Sequence, residues 1–352
     1  MKSRTLSLLL GGVVAASLSL AAASASADTK LLKFAHDNKT DPFENPAHAC
    51  TAVFNNIIEN ETNGSIKTEV FPSNQLGNAR EHVQMVRDNV IQATLASTGA
   101  LASYYPRIDV LNLPFAFDSN ASTYRVFDGP FGEAFAEDIE SVLGDVKVLG
   151  FPDTGGFFAV TNSKRPINTL DDFKGIRIRT MTVPAHQAVI QSLGGEAYPL
   201  AWGEVYTGLQ TGVIDGQMNP IPIISFWKMF EVQKYMTLTN HLFSPYTFVI
   251  SKTFWDGLTP EEQTIVRKAA ESCVAASRGL SRIIEASDRG LSGLADKIEI
   301  TALSAEDRER FKSASQPAVI ELIEQSGDTK AVELLELFRT EVNKANSEPY
   351  LQ

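Results

Sequence analysis

Catalytic signatures are missing from this chain. It carries no His-Glu-x-x-His pair, no Gly-x-Ser-x-Gly elbow, no Walker-type loop and no Gly-x-Gly-x-x-Gly. Their absence removes the usual sequence grounds for a zinc protease, an α/β-hydrolase, a P-loop nucleotidase or a dinucleotide enzyme. Only His36, His48, His82, His186 and His241 supply imidazole, and none lies in a close Cys/His cluster of metal-ligand spacing. Basic residues are scarce: 31 Lys and Arg face 42 Asp and Glu, for a formal net charge of −11. Nucleic-acid binding rests on cationic contacts to phosphate, so this balance argues against such a partner. It says nothing about the sign of a small ligand held in a cleft. Repeats, low-complexity runs and Gly/Ser linkers are also absent.

Cysteine is reduced to Cys50 and Cys273. An oxidising compartment would permit a bridge, but bridging needs Cα atoms within about 7 Å, which sequence cannot establish. Both sit beside alanines in helical-looking stretches, which favours two buried free thiols. The one long apolar run is at the start. Lys2 and Arg4 form a basic head, Leu6 to Leu20 is apolar or small, and Ala25-Ser26-Ala27 is a small-residue cleavage pattern. A membrane anchor needs about 20 strongly apolar residues, and this run is shorter and rich in Ser, Ala and Gly. The expectation is export, with cleavage after Ala27 and a mature chain opening at Asp28. No cysteine follows the cleavage site to carry a lipid.

Beyond that leader, strand and helix patterns alternate. Lys30 to His36, Ile66 to Phe71, Ile91 to Ser97, Val146 to Gly150, Phe157 to Asn162 and Ile176 to Arg179 read as strands. Ala47 to Glu59 and Arg80 to Asn89 have helical spacing between them. Such alternation predicts an α/β protein with largely parallel sheets. From Thr259 the character changes to long helices, Pro260 to Ile284 and Ala331 to Asn346, with Thr259-Pro260-Glu261-Glu262 a well-marked start. The length suits two domains. Two domains without a linker imply that the chain crosses between them more than once, building a cleft with a hinge.

Two residues suit a small carboxylate. In Ile176-Arg177-Ile178-Arg179 alternation sends both arginines to one face. A guanidinium fork can take a carboxylate through two parallel bonds. Asn219 follows the turn pair Asp215-Gly216 and precedes Pro220, which places its amide on an ordered loop. Trp202 could lie flat over a ligand or belong to the core. His36-Asp37, at the end of the opening strand, is the one site-like histidine pair. An enzyme acting on a small acid would need His36 or Glu204 as its general base; a receptor presenting its ligand to a signalling protein would differ only in partner.

These residues carry a resemblance. The chain resembles the extracytoplasmic solute-binding proteins of TRAP transporters, the DctP family. The similarity lies in Phe71 to Gly77, Leu113 to Phe117, Thr161 to Ile167, Asp172 to Arg179, Glu204 to Pro220 and Phe230 to Tyr235. Together these segments span nearly all of the mature chain. The resemblance implies a two-lobed periplasmic binding protein with a ligand cleft between lobes, crossing strands and a long helix. Lobe I would comprise 28–156 plus 244–284, and lobe II 157–243 plus 285–352. It implies capture of a small organic anion and its delivery to membrane subunits; a monocarboxylate, a monomer, no cofactor and no metal site are the expectation, while a sulfonate, sugar acid or amino alcohol as solute, and a metal ion joining the ligand, stay open. Arg179 would clamp the carboxylate, Asn219 would assist and Trp202 would form a wall. His36, Ser97, Thr98 and Phe158 are further candidates facing the cleft. Many members carry a second arginine where this chain has Gly155 to Val160 without charge. That difference points to a smaller or more apolar body behind one anionic head.

Overall fold

The computed structural model describes residues 29–348, so the expected leader and its cleavage site lie outside the described residues. Eleven strands are described: β1 Lys30–Ala35, β2 Ile66–Phe71, β3 Ala93–Ala96, β4 Val146–Gly150, β5 Phe158–Asn162, β6 Arg177–Thr180, β7 Glu196–Pro199, β8 Gly216–Pro220, β9 Tyr235–Leu238, β10 Thr247–Ser251 and β11 Glu299–Ala302. They form two sheets, ordered β2-β1-β3-β10-β4 and β11-β9-β5-β8-β6-β7. The fold is the expected two-lobed α/β architecture. No helix among the described residues is long and apolar enough to cross a membrane.

The sheets are mixed rather than largely parallel. Pairs built through an intervening helix, such as β1 with β2 and β6 with β7, are parallel. The antiparallel pairs all involve β10 or β5, the strands by which the chain re-enters one sheet from the other. A strand arriving from the opposite half enters at the far end of the sheet, so its direction reverses. Asn219 differs from expectation for a related reason. It lies within β8, not on a loop, because Gly216–Pro220 pairs with β5 along its whole length.

Two crossings run side by side. Phe158 N donates to Leu242 O at 2.9 Å, Tyr246 N to Pro152 O at 2.9 Å, and Thr154 Oγ1 to Ser244 O at 2.9 Å. The buried Asp153 Oδ1 accepts from the amides of Gly155 and Gly156 at 2.8 and 2.7 Å. Gly156 has φ +97°, and a Cβ there would lie 2.5 Å from the Arg282 guanidinium. Only glycine fits such a turn.

Helix Pro260–Glu285 begins at the capping box of Thr259 and Glu262. It packs on helix Pro46–Glu61, and there Cys50 and Cys273 form a disulfide. That corrects the expectation of two free thiols. The neighbouring Ala47, Ala49, Ala269 and Ala270 are small enough to let the two helices approach closely, and all four are buried. The same alanines that suggested a passive core position make the bridge possible. The last two helices divide their contacts. Ala305–Gln325 packs on Pro184–Ser192, whereas Thr329–Ser347 packs on Asn120–Phe127 and Pro130–Leu143. Phe338 in the last helix sits 4.9 Å from Phe131 and 5.5 Å from Phe117, ring centre to ring centre.

Candidate ligand-binding site

A cavity of about 540 Å³ lies between the two sheets. Its wall follows strand ends. Asp37 and Asn38 come just after β1, Asn74 after β2, and Ser97 after β3. From the other half come Arg179 at the end of β6, Trp202 after β7 and Asn219 near the end of β8. Thr154, Phe158 and Tyr246 line it from the crossings and their ends. Carboxyl ends of strands are where open α/β sheets leave a crevice.

Arg179 is the centre of the wall. It is 3% exposed, and its Nε and Nη2 donate to the Leu200 carbonyl at 3.0 and 2.8 Å. Its guanidinium stands 5.7 Å from the centre of the Trp202 ring. Burial pushes its pKa down to about 10, partly opposed by Asp37, so it stays charged at neutral pH. No carboxylate among the described residues lies within ion-pair distance of it. Its strand neighbour Arg177 differs, being held by Asp215 and by the carbonyls of Gly212 and Val213. A buried charge is costly unless paired, so an unpaired guanidinium facing a cavity is built to meet an anion there.

Other polar atoms around the cavity also lack partners. Trp202 Nε1 and Asn74 Oδ1 are buried with no hydrogen bond among the described residues. Asn219 donates through Nδ2 to Gln217 Oε1 at 2.5 Å, which leaves its amide a second N–H. Tyr246 Oη accepts from Asn38 Nδ2 at 2.9 Å and keeps its own O–H to donate. Burial raises Asp37 to about 6, although its own amide, Arg179 and Asn38 pull the other way. Buried polar groups are normally hydrogen-bonded, so this set of donors and acceptors describes a polar ligand.

The seven candidates separate by placement. Arg179, Asn219, Trp202, Phe158 and Ser97 line the cavity together. His36 and Thr98 do not. His36 Nδ1 accepts from the Asn38 amide at 3.2 Å, so its Nε2 donates to His48 Nδ1 at 2.9 Å. Burial and His48 hold its pKa down near 3, and the neutral ring props the turn that presents Asp37. Thr98 Oγ1 meets Ser244 Oγ at 3.0 Å and the Met181 sulfur at 3.4 Å. Glu204 is exposed, outside the cavity wall. Among residues that sequence reasoning missed, Asn74 had a signal within the Phe71 to Gly77 segment. Ser73 and Asn74 have φ +54° and +59°, a turn that aims the Asn74 side chain inward.

The two halves are closed on each other. Thr182 Oγ1 donates to Gly99 O at 3.1 Å, Ala185 N to Asp109 Oδ1 at 3.0 Å, and Lys39 Nζ lies 4.1 Å from the Trp227 ring centre.

Residues 38–326 match the profile of bacterial extracellular solute-binding protein, family 7. The chain is 34% identical over 274 residues to the 2,3-diketo-L-gulonate-binding periplasmic protein YiaO of Escherichia coli, covering 77% of this chain and 80% of that one. It is 30% identical to the C4-dicarboxylate-binding periplasmic protein DctP of Rhodobacter capsulatus, over 91% of this chain and 95% of that one. Among solved structures, a sugar-acid-binding protein of Advenella mimigardefordensis in complex with galactonate superposes with a TM-score of 0.83 at 29% identity. That similarity covers 90% of this chain and 99% of the other.

Proposed function

The chain belongs to bacterial extracellular solute-binding protein family 7, the DctP-type binding proteins of TRAP transport, and from that premise we propose that it captures a small monocarboxylate through Arg179. Family members are periplasmic substrate-binding components of transport. In this reading the chain is exported, residues 1–27 are removed after Ala27, and the loaded protein delivers its solute to ion-driven membrane subunits. Residues 28–156 with 244–284 move as one lobe and 157–243 with 285–328 as the other. The last helix, expected in the second lobe as part of 285–352, goes instead with the first in this reading, because Phe338 packs against Phe117 and Phe131.

The carrying observation is the buried guanidinium of Arg179, free of any ion pair among the described residues and open to the cavity. Asn219 adds an N–H beside it and Trp202 supplies a flat wall. Phe158 gives the wall an apolar patch, as the sequence suggested, but Asn38, Asn74, Asn219 and Tyr246 favour a hydroxylated body over an apolar one. Sugar-acid binding by YiaO and by the galactonate complex agrees with that chemistry. Of Gly155 to Val160, the uncharged segment where many members carry a second arginine, only Phe158 lines the cavity, which supports a single anionic head.

A thermal-shift titration with D-galactonate tests the anchor. Ligand at about 100 times its dissociation constant adds about 2.7 kcal/mol, a rise of a few degrees. Arg179→Ala should keep the fold, since the lost bonds run only to one carbonyl, and should lose the shift. An equal shift in the variant refutes the anchor. Recovery of the galactonate unchanged after incubation separates capture from catalysis.

A further inference from the structure

We propose that Asp37 makes this pocket select a hydroxylated monoanion over a dicarboxylate, by accepting a hydrogen bond from a ligand hydroxyl and repelling a second carboxylate. The inference rests on the reading of Arg179 as the anchor of the ligand's acid group. Among the described residues, three charged side chains border the cavity: Asp37, Arg80 and Arg179. Arg80 is exposed, 5.7 Å from the Tyr104 ring centre, and stands at the rim. Inside, the wall therefore offers one cation and one carboxyl group.

Asp37 is not free to turn away. Asn38 Nδ2 donates to its Oδ1 at 2.8 Å, and Asn38 is itself tied to Tyr246 Oη and, through its Oδ1, to Asn45 Nδ2 at 3.2 Å. The neutral His36 ring holds the Asn38 amide from behind. A carboxylate has about four lone-pair sites, so the Asn38 donor and the residue's own amide leave acceptor capacity facing the cavity. Asp37 and Arg179 both line the cavity and no ion pair joins them among the described residues, so ligand atoms can enter between them.

Consider the two ligand classes in that space. A hydroxy acid seats its carboxylate on Arg179 and donates a hydroxyl to Asp37, a charge-assisted bond stronger than a neutral one. A second hydroxyl can satisfy Asn74 Oδ1, the buried acceptor without a partner. A dicarboxylate seats one group on Arg179 and finds no second buried cation. Its other carboxylate, in a cavity of low dielectric, either approaches Asp37 or binds only after taking up a proton. The first route supplies no donor to Asp37 or Asn74, and the second supplies one only after a proton uptake that costs affinity at neutral pH.

Calorimetric titration at neutral pH with D-galactonate and with succinate tests this on the wild type, Asp37→Asn and Asp37→Ala, with melting curves to confirm folding. The wild type should prefer galactonate by about tenfold or more, as expected when a polar group reads a hydroxyl. Asp37→Asn should cut the galactonate-to-succinate ratio by about tenfold, and Asp37→Ala should do at least as much. A wild type that prefers succinate, or a ratio unchanged in both folded variants, overturns the role of Asp37 and leaves Arg179 standing. Galactonate binding that survives Arg179→Ala overturns the anchor and this inference with it.

Discussion

At the scale of single residues, the candidate site is a set of groups whose hydrogen-bonding capacity the protein leaves unused. Among the described residues, buried Arg179 has no carboxylate partner, and the buried Trp202 Nε1 and Asn74 Oδ1 have no hydrogen bond. Trp202 has two separable properties, a flat ring near the Arg179 guanidinium and an indole N–H without an acceptor. Trp202→Phe keeps the first and removes the second. A net hydrogen bond contributes about 0.5–1.5 kcal/mol, so galactonate affinity should fall about twofold to twelvefold. Calorimetry checks it, and an unchanged affinity would mean that the indole N–H never meets the ligand. Arg179 was legible as a strand-borne arginine; its lack of a carboxylate partner was not, because pairing depends on which acids the fold brings near.

Secondary elements were legible where local chemistry dominates. Helix Pro260–Glu285 starts where Thr259, Pro260 and Glu262 place it, and β4 spans Val146–Gly150 as its apolar pattern predicts. What the capping box could not reveal is that Glu262 also takes Lys30 Nζ from β1 at 2.7 Å and the Ser65 hydroxyl, before β2, at 2.8 Å. Burial alone would raise its pKa, but the Lys30, Thr259 and Ser65 donors outweigh it and hold the carboxyl near 2. A depressed carboxylate adds stability above its unfolded pKa of about 4.3, and the gain fades as pH falls toward the folded value. Glu262→Gln should therefore melt a few degrees lower at neutral pH, with the gap closing between about pH 4 and pH 2. Melting curves across that range check it; a gap independent of pH would assign the loss to packing.

At the scale of the whole molecule, closure is made by contacts between segments far apart in the chain. Lys39 follows β1 and Trp227 follows β8, yet the ammonium sits 4.1 Å from the ring centre. Neither is in the cavity wall. An exposed cation–π pair contributes about 0.5–1 kcal/mol, so Lys39→Ala should shift the open–closed balance about twofold to fivefold toward open. Stopped-flow measurement should show faster galactonate release by that factor. Release at the wild-type rate would mean that this contact does not hold the closed form. The disulfide belongs to the same scale: the alanines around Cys50 and Cys273 were visible, but their meaning depended on two helices meeting across most of the chain.

By itself, the sequence determined the periodic elements, the family, and the pairing of Arg179 and Asn219 as candidates, because apolar spacing, caps and motif order are properties of neighbouring residues. Tertiary structure alone decided the mixed strand directions, the disulfide, the departure of His36 and Thr98 from the cavity, and the entry of Asp37, Asn74 and Tyr246 into it. Each of those depends on which distant groups burial brings within hydrogen-bond reach. A one-residue step, as from Asp37 back to His36 or from Ser97 on to Thr98, turns a side chain from cavity to interior. No pattern along the chain records which of the two directions the folded backbone will take.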